Sequence, residues 1–231
     1  WGVYFVLSLA CVVAYRWAGM NWADAFMHMC TTMGLGGFSS HDASFGFWNS
    51  PRIEAVAIVF MVLSGISFVR YFMVIRSRSL RPIWSDREIR AYVVVLLGSV
   101  CLVAGHLLFA GVFPTWPEAL RNSAFHVVSV ATTTGYASTD YALWPAFVPV
   151  WLMFLGCFVS CAGSTGGGIK MVRMVLLVKQ ARRELVRIIH PRVVNPVSLG
   201  RKALPPTVMT AVLGFMLIYG AITVGLTMLM L

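Results

Sequence analysis

Shifted by 98 positions, the chain matches itself, so any fold it adopts has to place two copies of one unit. His28 falls on His126, Gly37 on Gly135, Phe38 on Tyr136 and Ser40 on Ser138; Asp42 falls on Asp140, Pro51 on Pro149 and Gly65 on Gly163. All share one offset without a gap. Each unit reads as an apolar helix, a connection, a short helix, a glycine-centred turn and a second apolar helix.

The short helices are expected at 22–31 and 117–130. Asp24 and Glu118 near their starts suit the positive end of a helix dipole, and Pro117 is tolerated in a first turn that needs no amide donor there. Ten to fourteen residues rise only roughly 15 to 20 Å, about half of a hydrocarbon core. Such a helix enters a membrane and has to return. Non-helical backbone survives at that depth only where protein buries it or where it lines a water-filled cavity, which makes the turns 33–39 and 131–137 candidates for lining a pore. Thr133, Thr134, Gly135 and Tyr136 resemble the start of the T-V-G-Y-G filter of potassium channels, whose carbonyl oxygens replace an ion's hydration shell. Glycine permits the dihedrals that aim carbonyls inward. A single glycine-rich turn would be an ordinary connection; two at one offset, each behind a half-length helix, argue for a pore.

Composition supports a bilayer setting. Hydrophobic residues make up 59% of the 231 and charged residues 11%, against about 25% charged in a soluble domain. Apolar stretches run over 1–14, 55–69, 91–113, 146–162 and 205–231, most of them near the ~20 residues a spanning helix needs. The net charge of +10 does not point to nucleic acid, because its placement follows the rule that cytoplasmic loops collect Lys and Arg. Fifteen of the 18 basic residues fall in the connections 70–90 and 170–202, which are expected to face the cytoplasm. The opposite connections hold only Arg16, Arg52 and Arg121, with Asp24, Asp42, Glu54, Glu118 and Asp140. Cys11, Cys30, Cys101, Cys157 and Cys161 lack the spacing of a metal site or a disulfide framework and read as packing residues. The apolar start has no basic region and no cleavage site and is not a signal peptide; both ends read as cut, so a fragment is expected.

Residues 161–170 interrupt an apolar helix with Gly163, Ser164, Thr165, Gly166, Gly167 and Gly168. At about 1 kcal/mol per glycine relative to alanine, three in a row should open the helix. Gly168 is followed by Ile169 and Lys170 rather than by Lys and Ser or Thr, so the segment is not a phosphate-binding loop. Ser164 lacks the G-x-S-x-G frame of a nucleophile. A broken helix in a membrane protein often lines a permeation route. Because Gly163 maps on Gly65, beyond the first turn, this break is expected on the cytoplasmic side and is placed to act as a gate; a packing kink is the plainer alternative. Lys170 and Arg173 are explained by a positive ring or by positive-inside anchoring.

These residues resemble the Trk/Ktr superfamily of bacterial potassium transporters, and within it the TrkH-type membrane subunit. The resemblance covers the whole chain and is strongest in 36–42, in 131–136, in 161–170, in Arg183, Glu184 and Leu185, and in His190 with Pro191. It implies an all-α polytopic membrane protein of repeated helix, pore-loop, helix units as in potassium channels. It further implies four such units around one pore, usually in a homodimer, in the membrane lipid of a bacterial inner membrane. A cytosolic nucleotide-binding regulatory subunit, TrkA-like, is the implied partner, facing the basic connections and especially 179–192; no nucleic acid partner is expected.

On that scheme residues 1–80 form one pore repeat, with its pore helix and filter at 22–40 and second helix at 54–75. Residues 81–190 form the next, with helices at 91–113 and 146–182 (broken) and its pore helix and filter at 117–138, and 191–231 hold a cytoplasmic connection and the first helix of a further repeat. Leu35, Gly36, Gly37 and Phe38, with Thr133, Thr134, Gly135 and Tyr136, match two of the family's four filter strands. Potassium, the transported ion, would be held by the carbonyls of Gly36, Gly37, Thr134 and Gly135. The segment 163–168 matches the family's intramembrane gating loop. No catalytic residue is implied, and the chain is not expected to be an enzyme. Tyr136 stands where the family often has Phe, and Leu35 and Gly36 lack the hydroxyls of Thr133 and Thr134. Alternatives are a sodium-permeable relative, a membrane enzyme using His28, His126 and Ser164, and a non-conducting assembly subunit.

Overall fold

The computed structural model describes residues 1–190, 198–199, 202–203 and 205–230. Ten helices carry the described chain. Helix α1 (Gly2–Ala18) ends on Gly19 in the left-handed conformation, and α2 (Trp22–Gly34) starts at Asn21, whose side chain accepts from the Asp24 N–H at 2.7 Å. Next come α3 (Pro51–Ser64), opened by a first-turn proline, α4 (Phe68–Ser77) and the single turn α5 (Arg81–Trp84). Helix α6 (Arg87–Phe109) is capped by Asp86, which accepts from the Glu88 N–H at 2.8 Å. Helix α7 (Trp116–Ala131) carries Pro117 in its first turn, and α8 (Phe147–Gly156), α9 (Met171–Ile189) and α10 (Pro206–Met230) follow. The described strand content is one two-residue antiparallel pair, Ser198–Leu199 with Lys202–Ala203.

Two compact bodies result, Trp1–Lys170 and Met171–Leu231. The first contains both glycine-centred turns, while the stretch expected as the second repeat, 81–190, is divided between the two bodies. In it α1 packs on α2 and α6 on α7, the same pairing in each copy, while α3 packs against α1, α2 and α7 and so joins the copies. Its largest fully buried side chains include Tyr15, Tyr92, Tyr136, Phe45 and Phe125. In the second body Leu176 of α9 packs with Met209 and Val212 of α10, and the Arg173 guanidinium lies 3.9 Å from the centre of the Phe215 ring.

Two helices, Arg87–Phe109 and Thr207–Met230, are long and apolar enough to cross a membrane. The continuous helix expected over 54–75 is divided instead: α3 and α4 meet at Gly65, Ile66 and Ser67 with a bend of 85°. Uninterrupted hydropathy through this stretch concealed the break. The apolar stretch 146–162 likewise yields only the ten residues of α8 before the glycine-rich segment. Pro191, part of the resemblance, and Arg192 and Arg201 of the connection 170–202 lie outside the described residues.

Candidate functional site

The two glycine turns share several backbone features at the 98-residue offset. Leu35 and Thr133, which occupy equivalent positions, are both left-handed (φ 52° and 64°), as are Gly37 and Gly135 (φ 71° and 88°). Each turn is held by a hydroxyl from the last helical turn behind it: Thr31 Oγ1 donates to the Phe38 carbonyl at 2.9 Å, and Ser129 Oγ donates to the Tyr136 carbonyl at 2.7 Å. The backbone closes the same loop, with the Gly36 N–H on the Thr31 carbonyl (2.8 Å) and the Thr134 N–H on the Ser129 carbonyl (2.8 Å). Thr31 and Ser129 escaped the sequence reading because they are not identical; both are hydroxyl residues at the shared offset, and that was the available signal.

His28 and His126 have equivalent structural roles. Nδ1 of each donates to the carbonyl one helical turn earlier, Asp24 at 2.8 Å and Asn122 at 2.9 Å. Nε2 then meets the returning strand, at the Ser39 hydroxyl (3.0 Å) for His28 and at the Thr139 carbonyl (3.1 Å) and Ser138 N–H (3.4 Å) for His126. Each imidazole therefore staples its half-helix to the strand that leaves it. The Ser164 hydroxyl donates to the Cys161 carbonyl at 2.6 Å, so His28, His126 and Ser164 are not assembled as a catalytic group.

The two turns meet backbone to backbone. A Cβ on Gly37 would overlap the carbonyl oxygen of Thr134, so only glycine allows this approach. Gly37→Ala is expected to cost about 1–2 kcal/mol for its left-handed backbone alone, with the overlap added. Gly135 faces open space at its Cβ direction, and Gly135→Ala should carry the backbone cost only. Thermal unfolding of the two variants in detergent checks the order; equal losses would contradict the close approach. Tyr136 adds a side-chain tie: its ring is fully buried and its hydroxyl bonds to Thr31 and to Thr32 (3.0 Å) on α2, while Tyr15 bonds to the same Thr32 at 2.7 Å. Phe38, at the equivalent position, is 77% exposed, so the copies diverge here.

Next to the first return strand lies a polar cluster. Asp24 accepts from the Ser40 hydroxyl at 2.7 Å and contacts His41 at 3.3 Å. Across the copies, Arg121 of α7 grips Glu54 of α3 through Nε to Oε2 at 2.7 Å and Nη2 to Oε1 at 2.6 Å, and Nη2 also reaches the Asn49 side-chain oxygen at 3.0 Å.

The glycine-rich segment 163–168 lies against the bases of both turns. Gly168 is left-handed (φ 80°), and its Cβ direction points 2.6 Å from the Cys157 carbonyl oxygen, which excludes a side chain. The Ile169 N–H donates to that carbonyl at 2.7 Å, and the Lys170 amine bonds to the Gly166 carbonyl. The segment also closes on the break between α3 and α4. The Cys161 N–H donates to the Gly65 carbonyl at 3.0 Å, the Phe68 N–H to the Gly163 carbonyl at 3.1 Å, and the Ala162 N–H to the Glu88 carboxylate at 2.7 Å. These pairings were not legible in the sequence beyond the match of Gly65 with Gly163.

Half-length helices ending in paired, left-handed turns above a broken helix define an all-helical membrane protein of the re-entrant pore-loop class. The family model described as TrkH, cation transport protein, matches residues 1–230, and the chain belongs to that family. It is 40% identical over 222 residues to the Trk system potassium uptake protein TrkH of Salmonella typhimurium, covering 96% of this chain and 46% of that one. To the Trk system potassium uptake protein TrkG of Escherichia coli it is 36% identical, with 97% and 46% covered. The crystal structure of the potassium transporter TrkH from Vibrio parahaemolyticus superposes with a TM-score of 0.93 at 38% identity, covering 97% of this chain and 48% of that one. The chain thus spans about half the length of the relatives it matches.

Proposed function

We propose that the chain forms two of the walls of a potassium pathway, with Leu35, Gly36, Gly37 and Phe38 and Thr133, Thr134, Gly135 and Tyr136 as two filter strands. The observation that carries this reading is the meeting of Gly37 with the Thr134 carbonyl, which sets two equivalent turns side by side at the C-terminal ends of two half-length helices. Those ends carry the negative partial charge of the helix dipole and favour a cation. The carbonyls of Gly36, Gly37, Thr134 and Gly135 would take over from water around the ion. Residues Gly163 to Gly168 would be the gate beneath them. Potassium is favoured as the ion because the matched relatives are named potassium uptake proteins or a potassium transporter.

The setting proposed is a bacterial inner membrane, in a homodimer whose basic connections meet a cytosolic nucleotide-binding subunit. Lys179, Arg182, Arg183 and Arg187 of α9 provide such a surface. Their partial neutralisation by Glu184, which bonds to Arg183 at 3.0 Å and Arg187 at 3.4 Å, leaves a net positive helix end.

The test is uptake by cells lacking their own potassium transport, supplied with the full-length protein that contains this chain. Deleting Gly166, Gly167 and Gly168 is expected to raise unregulated potassium flux while leaving the preference for potassium over sodium intact. A deletion that abolishes membrane insertion instead would return the segment to a packing role. Sodium carried as well as potassium by the unaltered protein would identify the sodium-permeable alternative.

A further inference from the structure

The glycine-rich segment is held in two halves by different partners. Its first half is fixed to the break of the first repeat and to α6, through Cys161, Ala162 and Gly163 as described above. Its second half touches the two turns at two atoms, one on each repeat. The Thr165 hydroxyl donates to the Met33 carbonyl at 3.0 Å, and the Gly167 N–H donates to the Thr133 hydroxyl oxygen at 2.8 Å. Ser160 holds the Gly167 peptide from the other side, its hydroxyl donating to the Gly167 carbonyl at 2.6 Å. The fixed half is a hinge, and the two neutral bonds that reach the turns are a catch; the bonds from Ser160 to the Gly167 carbonyl and from Lys170 to the Gly166 carbonyl do not involve the turns.

The acceptors of those two bonds are neutral oxygens at the ends of the half-helices, a carbonyl in the last turn of α2 and a hydroxyl just beyond α7. That is the ligand type by which a monovalent cation exchanges its water shell. An oxygen lone pair directed at a donor of the loop is not directed at an ion on the same side. We propose that Thr165 and Gly167 latch the loop shut on Met33 and Thr133, and that a monovalent cation at the base of the turns competes with the latch for these oxygens. This deepens the reading of the turns as a filter and the segment as a gate, and rests on it. Arrival of an ion would then weaken the catch and favour the open loop, while an empty base would favour closure.

A neutral hydrogen bond of this kind shifts a two-state equilibrium by about fivefold. The experiment is potassium flux from proteoliposomes holding the full-length protein without a regulatory subunit, normalised to protein that elutes as assembled material. Thr165→Val should raise flux by about fivefold, Thr165→Ser should restore the original rate, and Thr165→Val should add nothing when Gly166 to Gly168 are already deleted. The excess of the valine variant should shrink as potassium rises, since the ion releases the latch of the unaltered protein too. Thr165→Ala serves in its place if the valine variant does not assemble. Flux unchanged by either substitution while the deletion raises it would overturn the latch and leave the gate standing. An excess that is constant in potassium would overturn the competition. No flux from any form, the unaltered one included, would instead remove the filter reading on which both depend.

Discussion

Gly135→Ser is expected to assemble and to lose about tenfold or more of its preference for potassium over sodium, equivalent to about 1.4 kcal/mol. The geometry separates this position from its partner. A side chain at Gly135 meets nothing within 4 Å, so the substitution carries only the cost of a left-handed backbone, about 1–2 kcal/mol. Its hydroxyl enters the open space beside the strand, where it supplies an extra oxygen ligand and disturbs the carbonyl spacing set by the bond from the Gly135 N–H to Ser129 (3.2 Å). A smaller, more strongly hydrated ion then loses less than potassium does. Competition of sodium with potassium uptake in the full-length protein measures the ratio; a ratio equal to that of the unaltered protein would show that Gly135 does not select.

Arg121→Ala should be the most damaging single change outside the turns. It leaves the Glu54 side chain, only 3% exposed, without its bidentate partner inside the packed interface of α3 and α7. Removing one member of a buried ion pair costs about 3–5 kcal/mol, because the remaining charge is neither paired nor hydrated. At about 2–4 °C per kcal/mol, the scale for a folding unit of 150–250 residues, the melting temperature in detergent should fall by roughly 6 to 20 °C. Replacing both residues together, as Glu54→Leu with Arg121→Leu, should recover most of the loss. A double variant as unstable as the single one would show that the pair is not the cause.

Much of the site was legible in the sequence because duplication repeats geometry along with residues. Gly37 with Gly135, and His28 with His126, each proved equivalent in backbone or bonding, as their common offset required. The helix lengths were legible too, since a half-length helix between apolar stretches has to turn back. What escaped was whatever depends on partners distant in sequence without a repeat counterpart. Glu54 and Arg121 stand opposite Leu152 and Ala23 at the offset, so nothing in the repeat marked them. The bend at Gly65 escaped for a different reason. Hydropathy reports the solvent a segment prefers, and a helix can break inside apolar surroundings wherever another backbone takes up the freed groups.

That last condition is met reciprocally. Around Gly65 and Gly163 the two copies give each other what each lacks: an N–H at Cys161 for the Gly65 carbonyl, and an N–H at Phe68 for the Gly163 carbonyl. Neither break is therefore self-sufficient: inside a bilayer each copy alone would leave a backbone group unpaired, so the second copy is part of what keeps the first intact.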